Sequence, residues 1–128
     1  MPFDVDDRFI DAAESDLQTR FPSTYRAAMR KRNGGAVSTP DDDWEIHPVA
    51  DSSDRKRLAR TLSSVVSETL VARDWPGFPQ GAVAIANNGA GDLLVFMPKG
   101  EDLGAEVFAW RHDSQELDQI AADFSALS

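Results

Sequence analysis

The chain contains no cysteine among its 128 residues. Disulfides, thiolate nucleophiles and cysteine-ligated zinc are therefore excluded. A reducing compartment suits that composition. Histidine is nearly as scarce, with only His47 and His112. Catalytic zinc usually takes three protein ligands, so neither a metal nor another cofactor is expected. Long apolar runs are missing too: nothing approaches the ~20 residues of a membrane helix. The opening residues, MPFDVDDRF, lack the basic start and apolar centre of a signal peptide. The expectation is a soluble cytoplasmic protein with no membrane partner. Positive charge is also in deficit, with 13 Lys and Arg against 22 Asp and Glu and a net charge of -9. Such a surface repels phosphates, so no nucleic-acid partner is expected. It favours solubility, or a basic protein partner.

What is present fits one domain spanning residues 1–128. Hydrophobic residues make up 41% and charged residues 27%, enough to bury a core at this length. Ile10, Ala13 and Leu17 recur at helical spacing behind Asp6 and Asp7, so a helix is expected over about 7–19. Phe21-Pro22 opens a second helix bearing Tyr25, Ala28 and Met29, which Asn33-Gly34-Gly35 stops. Ala36-Val37 and the alternating Trp44-Glu45-Ile46-His47 read as short strands. Leu58, Leu62, Val65, Val66, Thr69 and Leu70 predict a third helix within 54–73, with a break near 61–64. Three strands follow, at Val83–Ala86, Leu93–Met97 and Val107–Trp110. From Asp113, the spacing of Leu117, Ile120, Ala121 and Phe124 predicts a final helix. Consecutive strands with short connections pair antiparallel. The fold class is therefore α+β, with a central, mostly antiparallel sheet and helices packed on it.

The segment AIANNGAGDLLVF (84–96) bears on chemistry. A dinucleotide loop needs G-x-G-x-x-G between a strand and a helix. Here no third glycine follows Gly89 and Gly91, and a strand comes next. No lysine follows either, so a Walker loop also fails. Asn87, Asn88, Gly89 and Gly91 suit a hairpin turn, with Asp92 bracing it through backbone N–H groups. Asp92 paired with His112 is the sharpest catalytic constellation available, but it lacks a nucleophile. No catalytic residue is therefore assigned, and His112 reads as a hydrogen-bonded structural residue at a strand end. His47 reads as a solvent-facing strand residue.

Asp41, Asp42 and Asp43, followed by Trp44 and Glu45, form the most acidic cluster. It reads either as a solvated loop or as a partner-binding surface. Trp44 would be an exposed anchor in the second case, whereas its strand alternation points it into the core. Trp75 and Phe78 either cap the core or form a second apolar patch. RKRLAR (55–60) reads as a solvated helix face.

Several stretches in order carry a family resemblance: FPSTYRAAMRKRNGG, FPQGAVAIANNGAGDLLVF and VFAWRHD. Together they resemble the SUKH superfamily, the Smi/Knr-like domain related to yeast cell-wall regulators. The resemblance runs from about Ile10 to Phe124. It implies an α+β domain with a mostly antiparallel sheet. It further implies a bacterial immunity protein that binds and neutralises a cognate toxin, often a nuclease or deaminase. The alternative it carries is a regulatory protein-interaction scaffold.

Overall fold

The computed structural model describes residues 2–128. Helix α1 spans Asp7–Leu17 and α2 Ser23–Lys31; strands β1 (Gly35–Ser38) and β2 (Asp43–Ile46) follow. Two short helices, α3 (Arg55–Arg60) and α4 (Val65–Ala72), lead into β3 (Val83–Asn87), β4 (Leu93–Lys99), β5 (Asp102–Trp110) and β6 (Leu117–Ala121). A single 3-10 turn, Phe124–Ala126, ends the chain. Three of the four α-helix starts are side-chain capped, α2 beginning instead after Pro22. Asp6 accepts from Arg8 N at 2.9 Å, Asp54 from Arg57 N at 2.8 Å and Ser64 from Ser67 N at 3.2 Å. The break between α3 and α4 falls at Thr61–Ser64, inside the expected third helix.

All six strands form one antiparallel sheet in sequential order, β1 to β6. This is the expected α+β class, with a mostly antiparallel sheet and helices packed on it. Apolar clusters lie on both faces. The larger one packs Ile10, Leu17, Tyr25 and Met29 of α1 and α2 onto Trp44, Ile46, Ile85, Leu94, Phe96 and Val107. The smaller one places Ala72, Trp75 and Phe78 over Ala84, Leu93, Val95 and Trp110. Leu93 to Phe96 is therefore an unbroken apolar run because β4 is buried on both sides.

One edge is closed by side chains. Strand β2 pairs β3 only at Glu45–Asn87 and Ile46–Ala86. Beyond that point His47 N donates to Ile85 O, and α4 lies where β2 would have continued. The Thr69 hydroxyl accepts from Ala84 N at 2.9 Å, and His47 Nδ1 lies 3.0 Å from Ala84 O. These contacts satisfy backbone groups that a lost strand partner would leave orphaned.

Two expectations need correction. The C-terminal segment is not a helix: Leu117–Ala121 pairs with β5. Val107 pairs Ala121 and Phe108 pairs Gln119, so Ile120 is an extra residue in the ladder. That irregularity breaks the two-residue alternation and leaves a helix-like spacing. The free edge of β5 then decides the conformation. His47, expected in solvent, is buried. It lies just past the end of β2, where strand alternation no longer governs which way a side chain points.

Candidate functional site

In an antiparallel meander every second connection emerges at the same end. The β1–β2, β3–β4 and β5–β6 turns therefore share one end of the sheet. The β1–β2 turn is closed by Thr39 N donating to Asp42 O at 2.8 Å. In the β3–β4 turn, Asn87 Oδ1 accepts from Gly89 N at 3.0 Å. Asn88 Oδ1 accepts from Ala90 N at 2.9 Å and Asp92 N at 3.2 Å. Gly89 and Gly91 hold φ of 79° and 96°, where a side chain would be strained. The β5–β6 turn has Gln115 N donating to Arg111 O at 2.7 Å, with Gln115 itself at φ 61°.

The asparagines brace their own turn, and Asp92 does something else. Its Oδ1 accepts from His112 N at 3.1 Å and faces His112 Nδ1 at 2.8 Å. Its Oδ2 accepts from Arg111 at 3.1 Å and Asn88 Nδ2 at 3.1 Å. Asp92 thus ties the β3–β4 turn to its neighbour instead of accepting backbone N–H groups of its own turn. Burial alone would raise its pKa, but the hydrogen bonds from His112, Arg111 and Asn88 outweigh that and hold it at about 2. Arg111 also reaches Asp42 at 2.7 Å and lies over the Trp44 ring, 5.6 Å from its centroid. One guanidinium thereby joins all three turns. Residues far apart in sequence, the Asp41–Glu45 loop and the Asn87–Asp92 turn, meet through it.

The acidic loop is divided by this arrangement. Asp41, Asp43 and Glu45 are exposed, whereas Asp42 is half-buried against Arg111. Asp43 accepts from the Ser38 hydroxyl at 2.7 Å. Trp44 is 1% exposed and donates its indole N–H to Thr39 Oγ1 at 3.0 Å. It supports the loop from below, so the exposed-anchor reading fails and the alternation reading holds. Beside the loop lies an open groove of about 560 Å³, whose walls include Arg32, Asp43, Glu45, Asn88 and Gly89. RKRLAR is more than a solvated face: Arg57 bridges Asp4 at 3.1 Å and Asp51 at 3.2 Å, and its guanidinium covers Phe3.

Residues 4–127 match the family described as SMI1 / KNR4 family (SUKH-1). The chain belongs to this family. No curated protein matches it. The match takes in every element of this SUKH-1 chain, including the three turns and the groove. Among the described residues, no helix is long and apolar enough to cross a membrane.

In this SUKH-1 domain the Asp92–His112 pair does form, but Asp92 is saturated by four donors. No serine or threonine hydroxyl pairs with His112 among the described residues. Asp92, His112 and Asp113 place ligand-type atoms within 4.8 Å of one another. Arg111 already occupies Asp92, so a cation there would meet a fixed positive charge. Sequence reasoning passed over Arg111, although it stands inside AWRHD between the noted Trp110 and His112. Nothing local marks an arginine as the junction of three turns.

Proposed function

We propose that this SUKH-1 chain is a non-catalytic binding protein that neutralises a cognate toxin, using the turn-bearing end of its sheet as the docking surface. The observation that carries this reading is the cross-linking of three turns by Arg111, which presents Asp41, Asp43 and Glu45 on a rigid rim beside an open groove. Preorganised surfaces lose less entropy on association. With a net charge of -9, the rim steers a basic partner and raises its on-rate.

The test is association kinetics with a candidate toxin, taken from the neighbouring gene where that gene encodes one. Changing Asp41→Asn, Asp43→Asn and Glu45→Gln together, with Asp42 kept, is expected to slow association about tenfold at low salt. The deficit shrinks as salt is raised. Rates indifferent to both changes would remove the electrostatic docking surface from the proposal. Capture of cellular regulators with no toxin among them would favour the alternative, a regulatory scaffold, which the family's description fits equally.

A further inference from the structure

A second concavity lies at the same end, on the face of the smaller apolar cluster. It holds about 350 Å³ and is lined by Trp75, Pro76, Gly91, Trp110, His112 and Gln115. Its walls are aromatic: the Trp75 and Trp110 rings lie 6.1 Å apart with their planes tilted by 33°. Its shape is held in place from both sides. Gln115 donates its side-chain amide to Pro76 O at 3.3 Å, joining the Trp75–Phe78 loop to the β5–β6 turn. A Cβ on Gly77 would overlap the Gln115 amide, so glycine is what lets the two loops meet. Gly91 likewise lets the His112 ring lie close, since a Cβ there would sit 3.0 Å from Nδ1.

The polar atoms around the mouth share one character. His112 Nδ1 faces the Asp92 carboxylate and donates to it, so in that tautomer the imidazole lone pair sits on Nε2, the ring nitrogen not engaged by Asp92. No described residue pairs with that nitrogen. Gln115 uses its NH2 on Pro76, which leaves its oxygen free to accept. Asp113 adds a carboxylate within 4.8 Å of the His112 and Asp92 ligand atoms. The Trp110 N–H, which has no acceptor, is buried below the surface and is not offered to an occupant. The mouth therefore presents acceptors over an aromatic wall, on a chain with a large acidic surplus.

We infer that this pocket takes an arginine side chain of a basic protein partner, stacking its guanidinium on Trp75 and hydrogen bonding it to His112 and Gln115. Arginine fits on chemistry: it is planar, carries five donors and no acceptor, and stacks on indoles. Neighbouring the rim around Arg111, the pocket deepens the docking reading given above and rests on it for the partner.

The probe is N-acetyl-arginine N-methylamide, titrated into the full chain and followed by the indole N–H resonances in NMR. Saturable shifts at Trp75 and Trp110 are expected, with Trp44 unmoved. The neutral citrulline analogue and the lysine amide should each bind at least about threefold more weakly. Trp75→Ala should abolish the shifts at Trp110, and His112→Phe, at an exposed position, should weaken binding without loss of folding. Non-saturable shifts, equal binding of citrulline or lysine, or indifference to both substitutions would overturn the assignment. The titration needs no toxin. Arginine binding without neutralisation would retain the pocket and defeat the immunity reading; neutralisation without arginine binding would do the reverse.

Discussion

The helix-covered face of the sheet and its turn-bearing end are held together by different forces. On the covered face, Tyr25 lies edge-on to Phe21, Phe96 and Phe124 with ring centroids 4.9–5.3 Å apart, and the cluster around them is apolar. At the turn end, charged and amide groups do the joining, through Arg111, Asp92, Asp42 and two asparagines. Apolar burial is non-directional and insensitive to pH. Charge-assisted hydrogen bonds fix geometry and respond to pH and salt. The first arrangement suits a support, the second a surface that must keep its shape while exposed to water.

The largest expected effect lies on the covered face. Phe96→Ala should cost about 3–5 kcal/mol in urea unfolding, because the ring is fully buried between Tyr25 and Phe124. Arg111→Met should cost less, about 1–2 kcal/mol, since its partners remain partly solvated. It should still loosen all three turns, seen as faster amide exchange at Gly89 and Gln115 with the core amides unchanged. A cost as large as that of Phe96→Ala would erase the contrast between the regions.

Tyr25→Phe reverses the sign. The Tyr25 hydroxyl is buried with no hydrogen-bond partner, and burial pushes its pKa up. Removing it should raise stability by about 1 kcal/mol. A loss would mean that the hydroxyl has an acceptor after all.

Two glycines allow a finer comparison within one turn. Both sit at positive φ, so alanine at either should cost about 1 kcal/mol in backbone strain. Only at Gly91 would the new Cβ also press on His112, at 3.0 Å; at Gly89 it would meet open space. Gly91→Ala should therefore be the costlier change, and it alone should shift the His112 resonances.

The pH effects each come from one group. Burial lowers the His47 pKa below its ordinary 6.5, only partly offset by the Ala84 carbonyl. A lowered histidine favours the neutral fold. Its contribution is complete above about pH 6.5 and is lost as pH falls toward the folded value. His47→Gln should flatten that part of the profile. Asp92, held at about 2 against an ordinary 3.8, contributes above pH 3.8 and is lost as pH falls through about 2. Both slopes run the same way, so a chain equally stable at pH 7 and pH 3 would contradict both assignments.

Much of the fold was legible from pattern. The cap at Asp6, the proline joint at Pro22, the helix break near Thr61 and the hairpin around Gly89 follow from local chemistry that needs no partner. β6 was not legible, because an extra residue at Ile120 disguises a strand as a helix. The candidate site was legible only in pieces. Asp41 to Glu45 and Asn87 to Asp92 stood out as an acidic cluster and a turn, but their meeting did not.

The sequence by itself determined the absence of thiol chemistry, the acidic surplus, the α+β class and the turn at Asn87–Asp92. Each depends on composition or on neighbours within a few positions. Only the tertiary structure decided that Trp44 supports the acidic loop from within, that His47 closes a sheet edge, and that Arg111 joins Asp42 to Asp92. Those outcomes depend on which segments the meander brings to the same end, and strand pairing is a long-range choice that no local pattern encodes.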